Sequence, residues 1–452
     1  MKQGADGRPV TINLQDCLAC SGCITTAETV LLQQQSVGEF RSRLAEPGTI
    51  AIASVSPQTR ASLAVYYGLG AAEAGARLVG FFKSLGVKAV LDLSCARDVS
   101  LMEAAAEFCY RFRSHRSSSA KGGDGSEMDV DGGMQSAGEH NHPVQLPMLA
   151  SSCPGWICYA EKTHGEYVLP YISTAKSPQA VLGTLLKRQV AARHGMDPAK
   201  VFHCALQPCY DKKLEASRED FETAGNVKET DCVLSTLEVV ELLNEKGLHL
   251  KDCPVDNMDS IITLMAGHPA CQVEGSSGLH GWPGGSGGYV DFVFRVAAQE
   301  LFGVQVPAGP LPYKTLRNSD FKEVTLTVDD RVVLRFATAY GFRNIQTLMR
   351  KIKRDQCEYH YVEIMACPSG CLNGGGQMRP KEGQTVQELI QSLDESYHHQ
   401  DIVPRWPADN PLVRFMYDAS NVGPCFGPQA QALFHTQYHK REKTASTAIA
   451  DW

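Results

Sequence analysis

Residues 359–376 read YHYVEIMACPSGCLNGGG, a short β-branched, apolar run that stops at two cysteines, Cys367 and Cys371, followed by three glycines. A strand that delivers thiols at its carboxyl end belongs to an α/β protein, whose functional groups gather where parallel strands stop. The pattern recurs through the chain. GTIAIASVSP (48–57), GVKAVLDLSC (86–95), PMLASSCPGW (147–156) and KVFHCALQPC (200–209) each run from strand-like residues through a turn into a helical pattern. Strands alternating with helices predict parallel βαβ units, and three of the strand ends carry Cys153, Cys209 and Cys367. A local exception is KEVTLTVDDRVVLRFA (322–337), whose two alternating runs flank Asp329 and Asp330 and predict a hairpin, followed by a helix over 341–353.

The chain has 452 residues, more than one core usually supports, so two or three domains are expected. Its 43 Lys and Arg against 50 Asp and Glu give a net charge of −7, which argues against a broad nucleic-acid footprint. No apolar run approaches the roughly 20 residues of a membrane helix, and MKQGADGRPV at the start lacks a signal peptide's apolar centre. These features point to the cytosol or nucleus, with neither nucleic acid nor membrane as partner. The stretch 114–142, rich in Gly, Ser and charge, cannot bury enough surface to order itself and reads as a disordered insertion. The glycine cluster 275–289 precedes a helical pattern without the Lys-Ser/Thr pair of a phosphate cradle, so its glycines read as places of close backbone approach.

Sixteen cysteines in a reducing compartment argue for metal ligands or catalytic groups over disulfides. Cys95, Cys109, Cys158, Cys204, Cys232, Cys253, Cys271, Cys357 and Cys425 stand singly and read as small buried hydrophobes. Cys17, Cys20 and Cys23 form C-x2-C-x2-C, a spacing that lets three soft thiolates converge on an iron-sulfur cluster. Zinc, the alternative, would need a second Cys or His pair at finger spacing, which the sequence lacks. Cys153, Cys209, Cys367 and Cys371 come from three separate segments; singly each reads as well as a turn holding an inert thiol, and together they give four thiolates, the number a [4Fe-4S] cluster requires.

SSCPGW, PCYDKKLE and EIMACPSGCLNGGGQ resemble, in order, the three signature segments of iron-only hydrogenases. With DCLACSGC, AKSPQ, AYGFRN and LFHTQYH, the chain is similar to the eukaryotic hydrogenase-like branch of that family over residues 11–113 and 143–452. The resemblance implies an α/β, two-lobed iron-only hydrogenase-like fold with parallel sheets and a cluster buried between the lobes. It divides the chain into an N-terminal iron-sulfur segment (1–47), lobe 1 (48–199), lobe 2 (200–380) and a C-terminal helical piece like the hydrogenase small subunit, ending in a targeting tail (381–452). It implies two [4Fe-4S] clusters, one on Cys153, Cys209, Cys367 and Cys371, the other on Cys17, Cys20 and Cys23. The family's fourth N-terminal ligand lies upstream of anything in this sequence, which suggests a truncated gene model over a three-thiolate cube.

Two departures argue against hydrogen chemistry. Ser152 stands where hydrogenases carry a proton-relaying cysteine, and a hydroxyl is a far poorer acid than a thiol at neutral pH. Val181 replaces a methionine that the family places beside its two-iron unit. Lys212 and Glu215 keep the family spacing and read as an ion pair near the cluster. The resemblance then implies a non-enzymatic protein of cytosolic iron-sulfur assembly, acting between scaffold NTPases and a targeting complex of WD40 and HEAT-repeat subunits. The chain closes on Asp451 and Trp452, and an aromatic residue with a free carboxylate suits capture by a groove on that complex. A prelamin A-binding nuclear relative and a working hydrogenase are the alternatives.

Overall fold

The computed structural model describes residues 32, 35–120, 145–223, 225–266 and 279–441. Cys17, Cys20, Cys23, Cys271, Asp451 and Trp452 lie outside the described residues. In chain order the strands of the two larger sheets are β1 (Ile50–Val55), β2 (Ala89–Asp92), β3 (Met148–Ala150), β4 (Val201–Gln207), β5 (Cys232–Ser235), β6 (Lys314–Thr315), β7 (Phe321–Val328), β8 (Arg331–Tyr340) and β9 (Tyr361–Met365). The first sheet has the order β2-β1-β4-β5 and is parallel throughout. The second has the order β3-β9-β8-β7-β6, parallel from β3 to β8 and antiparallel beyond. β7 and β8 form the expected hairpin, and its Asp329 and Asp330 both take positive φ, 48° and 59°, the backbone of a tight two-residue turn.

The helices that matter for the site are α1 (Pro57–Tyr67), α2 (Ser94–Ala120), α3 (Pro154–Tyr159), α4 (Pro178–Thr184), α5 (Asp211–Ala216), α6 (Tyr289–Phe302), α7 (Phe342–Lys353) and α8 (Val386–Tyr397). α1 starts where the Ser56 side chain accepts from Thr59 N with Pro57 in the first turn, and it ends on Gly68 in the left-handed region. α7 buries Ile345, Leu348, Met349 and Ile352, the spacing of one helical face, while Arg350, Lys351 and Lys353 sit in its last turn where the helix dipole favours cations. One core gathers Phe40, Leu63, Phe81, Phe82 and Phe202 around the first sheet. Another gathers Phe108, Phe292, Phe294, Phe336 and Tyr361 between α2, α6 and the second sheet.

Two expectations change. A boundary at residue 200 does not separate the sheets, because each takes strands from both sides of it: β1 pairs with β4, and β3 pairs with β9. Hydrophobic runs mark strands, but crossover connections decide which edge each strand joins, and here the chain passes from the first sheet to the second and back. Helical structure also runs past residue 114, where the sequence reading starts the insertion. α2 continues to Ala120, with Ser117 Oγ donating to Arg113 O, because the first helix-breaking pair is Gly122 and Gly123. Residues 121–142 lie outside the described residues. The C-terminal piece is largely helical, but it adds a strand, Ile402–Pro404, parallel to Leu279–Gly281.

Candidate metal centre

Five parallel strands, β1, β2, β3, β4 and β9, stop facing one cavity of about 740 Å³ of empty space, including its open side. Pro57 and Gln58 follow β1, Leu93 and Arg97 follow β2, Cys153 follows β3, Pro208 and Cys209 follow β4, and Cys367 and Cys371 follow β9. The structure therefore brings Cys153, Cys209, Cys367 and Cys371 together, although 218 residues separate the first from the last. Among the described residues no three His, Cys, Asp or Glu are grouped to hold a single metal ion. The four thiols instead surround a space, the arrangement a multi-iron cube needs.

Each thiol is fixed by its own segment. Beyond β3, Ser151 Oγ donates to Ile364 O at 2.5 Å and accepts from Cys153 N at 3.0 Å, which ties the first thiol to the end of β9. Pro154 then opens α3. After β4 a Pro-Cys turn leads into α5, and Gly376 N donates to Pro208 O at 2.9 Å. The glycine run after Cys371 lies so close to this turn that a Cβ at Gly374 would stand 2.3 Å from Pro208 O. Gly370, at φ +74°, is held the same way on its other side: a Cβ there would meet Ser286 Oγ at 2.1 Å. Ser286 comes from the glycine cluster before α6 and accepts from Cys371 N at 3.0 Å. That cluster's glycines thus serve close approach, as Gly285 does against Leu372.

The site is hostile to bare thiolates. Burial pushes Cys153, Cys209 and Cys367 upward and Cys371 to about 12; the Asp211 carboxylate adds to the shift at Cys153 and Cys209, and neighbouring thiols add to it at Cys209, Cys367 and Cys371. Four thiolates this close are stable only around a strongly positive group, so the donor set fits an iron-sulfur cluster, whose irons would hold these sulfurs deprotonated.

Lys212 and Glu215 form the expected ion pair at 2.8 Å, and Ser177 Oγ donates to Glu215 at 2.5 Å. Lys212 and Ser152 both line the cavity. Val181 does not: it is fully buried in the core with Leu91, Leu185 and Phe434, two residues along α4 from Gln179 and so on the opposite face of the helix from that residue, which does line the cavity. Sequence reasoning missed Arg97, Gln207, Ser286, Met365 and Tyr397 on the cavity wall. Ser286 alone carried a local signal, a lone hydroxyl among glycines. Of the nine single cysteines, eight are described, and all are buried or half-buried away from the cavity.

Residues 49–375 match the family model described as iron only hydrogenase large subunit, C-terminal domain, and the chain belongs to that family. Within it, the chain is 44% identical to "Protein NAR1" of Arabidopsis thaliana, covering 98% of this chain and 89% of the relative. It is 45% identical to "Cytosolic iron-sulfur assembly component 3" of Mus musculus, covering 98% and 86%. Against "Cytosolic Fe-S cluster assembly factor narfl" of Danio rerio the identity is 43%, over 96% and 98%. Among solved structures, an apo [FeFe]-hydrogenase from Chlamydomonas reinhardtii superposes with a TM-score of 0.72 at 25% identity, covering 89% of this chain and 98% of that one.

Proposed function

We propose that this chain is a non-enzymatic iron-sulfur protein of cytosolic iron-sulfur cluster assembly, with one [4Fe-4S] cluster on Cys153, Cys209, Cys367 and Cys371. The observation that supports it most is the convergence of these four thiols from three distant segments on one buried cavity. The names of the relatives support the pathway and the cytosol. Cys17, Cys20 and Cys23 hold a second cluster, and Asp451 and Trp452 dock on the targeting complex that receives clusters from the NTPase scaffold. Ser152 on the cavity wall supports the loss of hydrogen turnover, because no thiol stands there to relay protons.

Within this reading the chain's own groups do the work of a rigid holder. Three strand ends present the thiols, the Gly374–Gly376 run locks two of them against the Pro208 turn, and Lys212 is kept in place by Glu215. A cluster bound there supplies electron storage and ties the sheets together. The test is anaerobic purification with iron and sulfide counts and electron paramagnetic resonance. About eight irons per chain means two cubes and about four means one. Infrared bands from carbonyl or cyanide ligands, or measurable hydrogen evolution, would overturn the non-enzymatic reading.

A further inference from the structure

Arg97 has no place in the holder described above, yet its side chain lines the cavity although it is 4% exposed. A buried guanidinium needs a counter-charge. Its Nε and a terminal nitrogen donate to Asp98 Oδ1 at 3.1 and 2.7 Å. Asp98 does not belong to Arg97 alone. Its other oxygen accepts from Arg405 at 3.1 Å and from Asn410 at 3.0 Å. One fully buried carboxylate thus serves two guanidiniums. The neighbouring Asp92 also lies within electrostatic reach of Arg97, but it is shared in turn with Arg60, which it meets at 2.6 Å. The remaining charged groups on the cavity wall are Lys212, matched by Glu215, and Asp211 beside Cys209. Tyr397, also on the wall, lies within electrostatic reach of both Arg97 and Cys371, so the guanidinium and the last thiol share one neighbourhood.

Accepting that the four thiols hold a cluster, we propose that Arg97 sets its reduction potential, the half-compensated guanidinium favouring the reduced form. Four thiolates around a [4Fe-4S] core carry a net charge near −2, and one electron from an external one-electron donor takes it to about −3. A fixed buried cation attracts the second state more strongly than the first, because the interior screens poorly. Arg97 therefore raises the potential, and the Asp98 carboxylate, divided between two cations, fixes the guanidinium without cancelling it.

The test is a dithionite titration of the full chain followed by electron paramagnetic resonance, with the buried cluster's signal assigned as the one lost in Cys367→Ala. Arg97→Gln should move the midpoint to more negative potential with iron content unchanged, and Arg97→Lys should leave it near the unmodified value. Should Arg97→Gln fail to accumulate, Arg405→Gln tests the same charge from outside the cavity. It leaves Arg97 and Asp98 as a neutral pair and should also lower the midpoint. An unmoved midpoint in a neutral variant that keeps its cluster signal overturns the role of Arg97. Absence of the signal from the unmodified protein overturns the cluster reading instead.

Discussion

Gly374→Ala probes how tightly the site is built. Gly374 has φ −64° and ψ 149°, a conformation any residue adopts, so alanine brings no backbone strain. The consequence is purely steric. The new Cβ would lie 2.3 Å from Pro208 O and 3.0 Å from its carbonyl carbon, whereas ordinary contact starts at 3.4 Å. The loop carrying Cys371 and the turn carrying Cys209 must therefore separate by about 1.1 Å, and neither can yield by side-chain rotation because the clash is with backbone. Overpacking of this kind costs about 1–3 kcal/mol, which a large fold survives, but a displacement near 1 Å is enough to spoil a preorganised ligand set. The variant should stay folded by circular dichroism and lose most of its buried-cluster iron after anaerobic reconstitution. Gly38→Ala is the control, since its nearest neighbour would be Ser36 Oγ at 3.5 Å and it lies in a surface helix. Full iron loading of Gly374→Ala, equal to the control, would refute the claim that this glycine run sets the spacing of the thiols.

Cys367→Ala should lower both iron content and soluble yield, while Cys425→Ala, away from the cavity, should alter neither; equal effects of the two would remove Cys367 from the ligand set. The unmodified protein and Ser152→Cys should both show no hydrogen evolution by gas chromatography, even when made together with the machinery that matures two-iron units. Deleting Trp452 should weaken capture of the targeting complex in pulldown by about 30-fold, the loss of an anchor worth roughly 2 kcal/mol, with cluster content unchanged. His203 is fully buried between Ser54 and the Glu229 carbonyl, and burial lowers its pKa to about 3. The unfolded chain takes up this proton below about pH 6.5 and the folded chain does not, so stability is complete above 6.5 and falls as pH drops towards 3. His203→Asn should flatten the pH dependence of the melting temperature between pH 6.5 and 4.5, and an unchanged slope would count against a neutral buried imidazole.

What the sequence by itself determined was local. β-branched runs leading into turn residues named β1, β2, β3, β4 and β9, because a strand buried on both faces needs no alternation and its end needs a turn residue, whereas the short edge strands β5 and β6 gave no such signal. The Asp329–Asp330 turn and the face of α7 were legible for the same reason: their periodicities are properties of a few consecutive residues. The thiols were legible as chemistry, since soft ligands in short spaced motifs have few other uses in a reducing compartment. Tertiary structure decided the rest. Which strand lies beside which depends on crossovers that no local pattern encodes, so a boundary drawn at residue 200 cut across both sheets. Val181, read as a cavity residue, turned into the core because two residues of α4 separate it from Gln179 and place it on the opposite face, and a residue name does not say which face of a helix meets the cavity. Arg97 gave no signal at all. Its meaning depends on Asp98 being shared with Arg405, some three hundred residues away in the chain, and charge compensation of that kind exists only once the chain has folded.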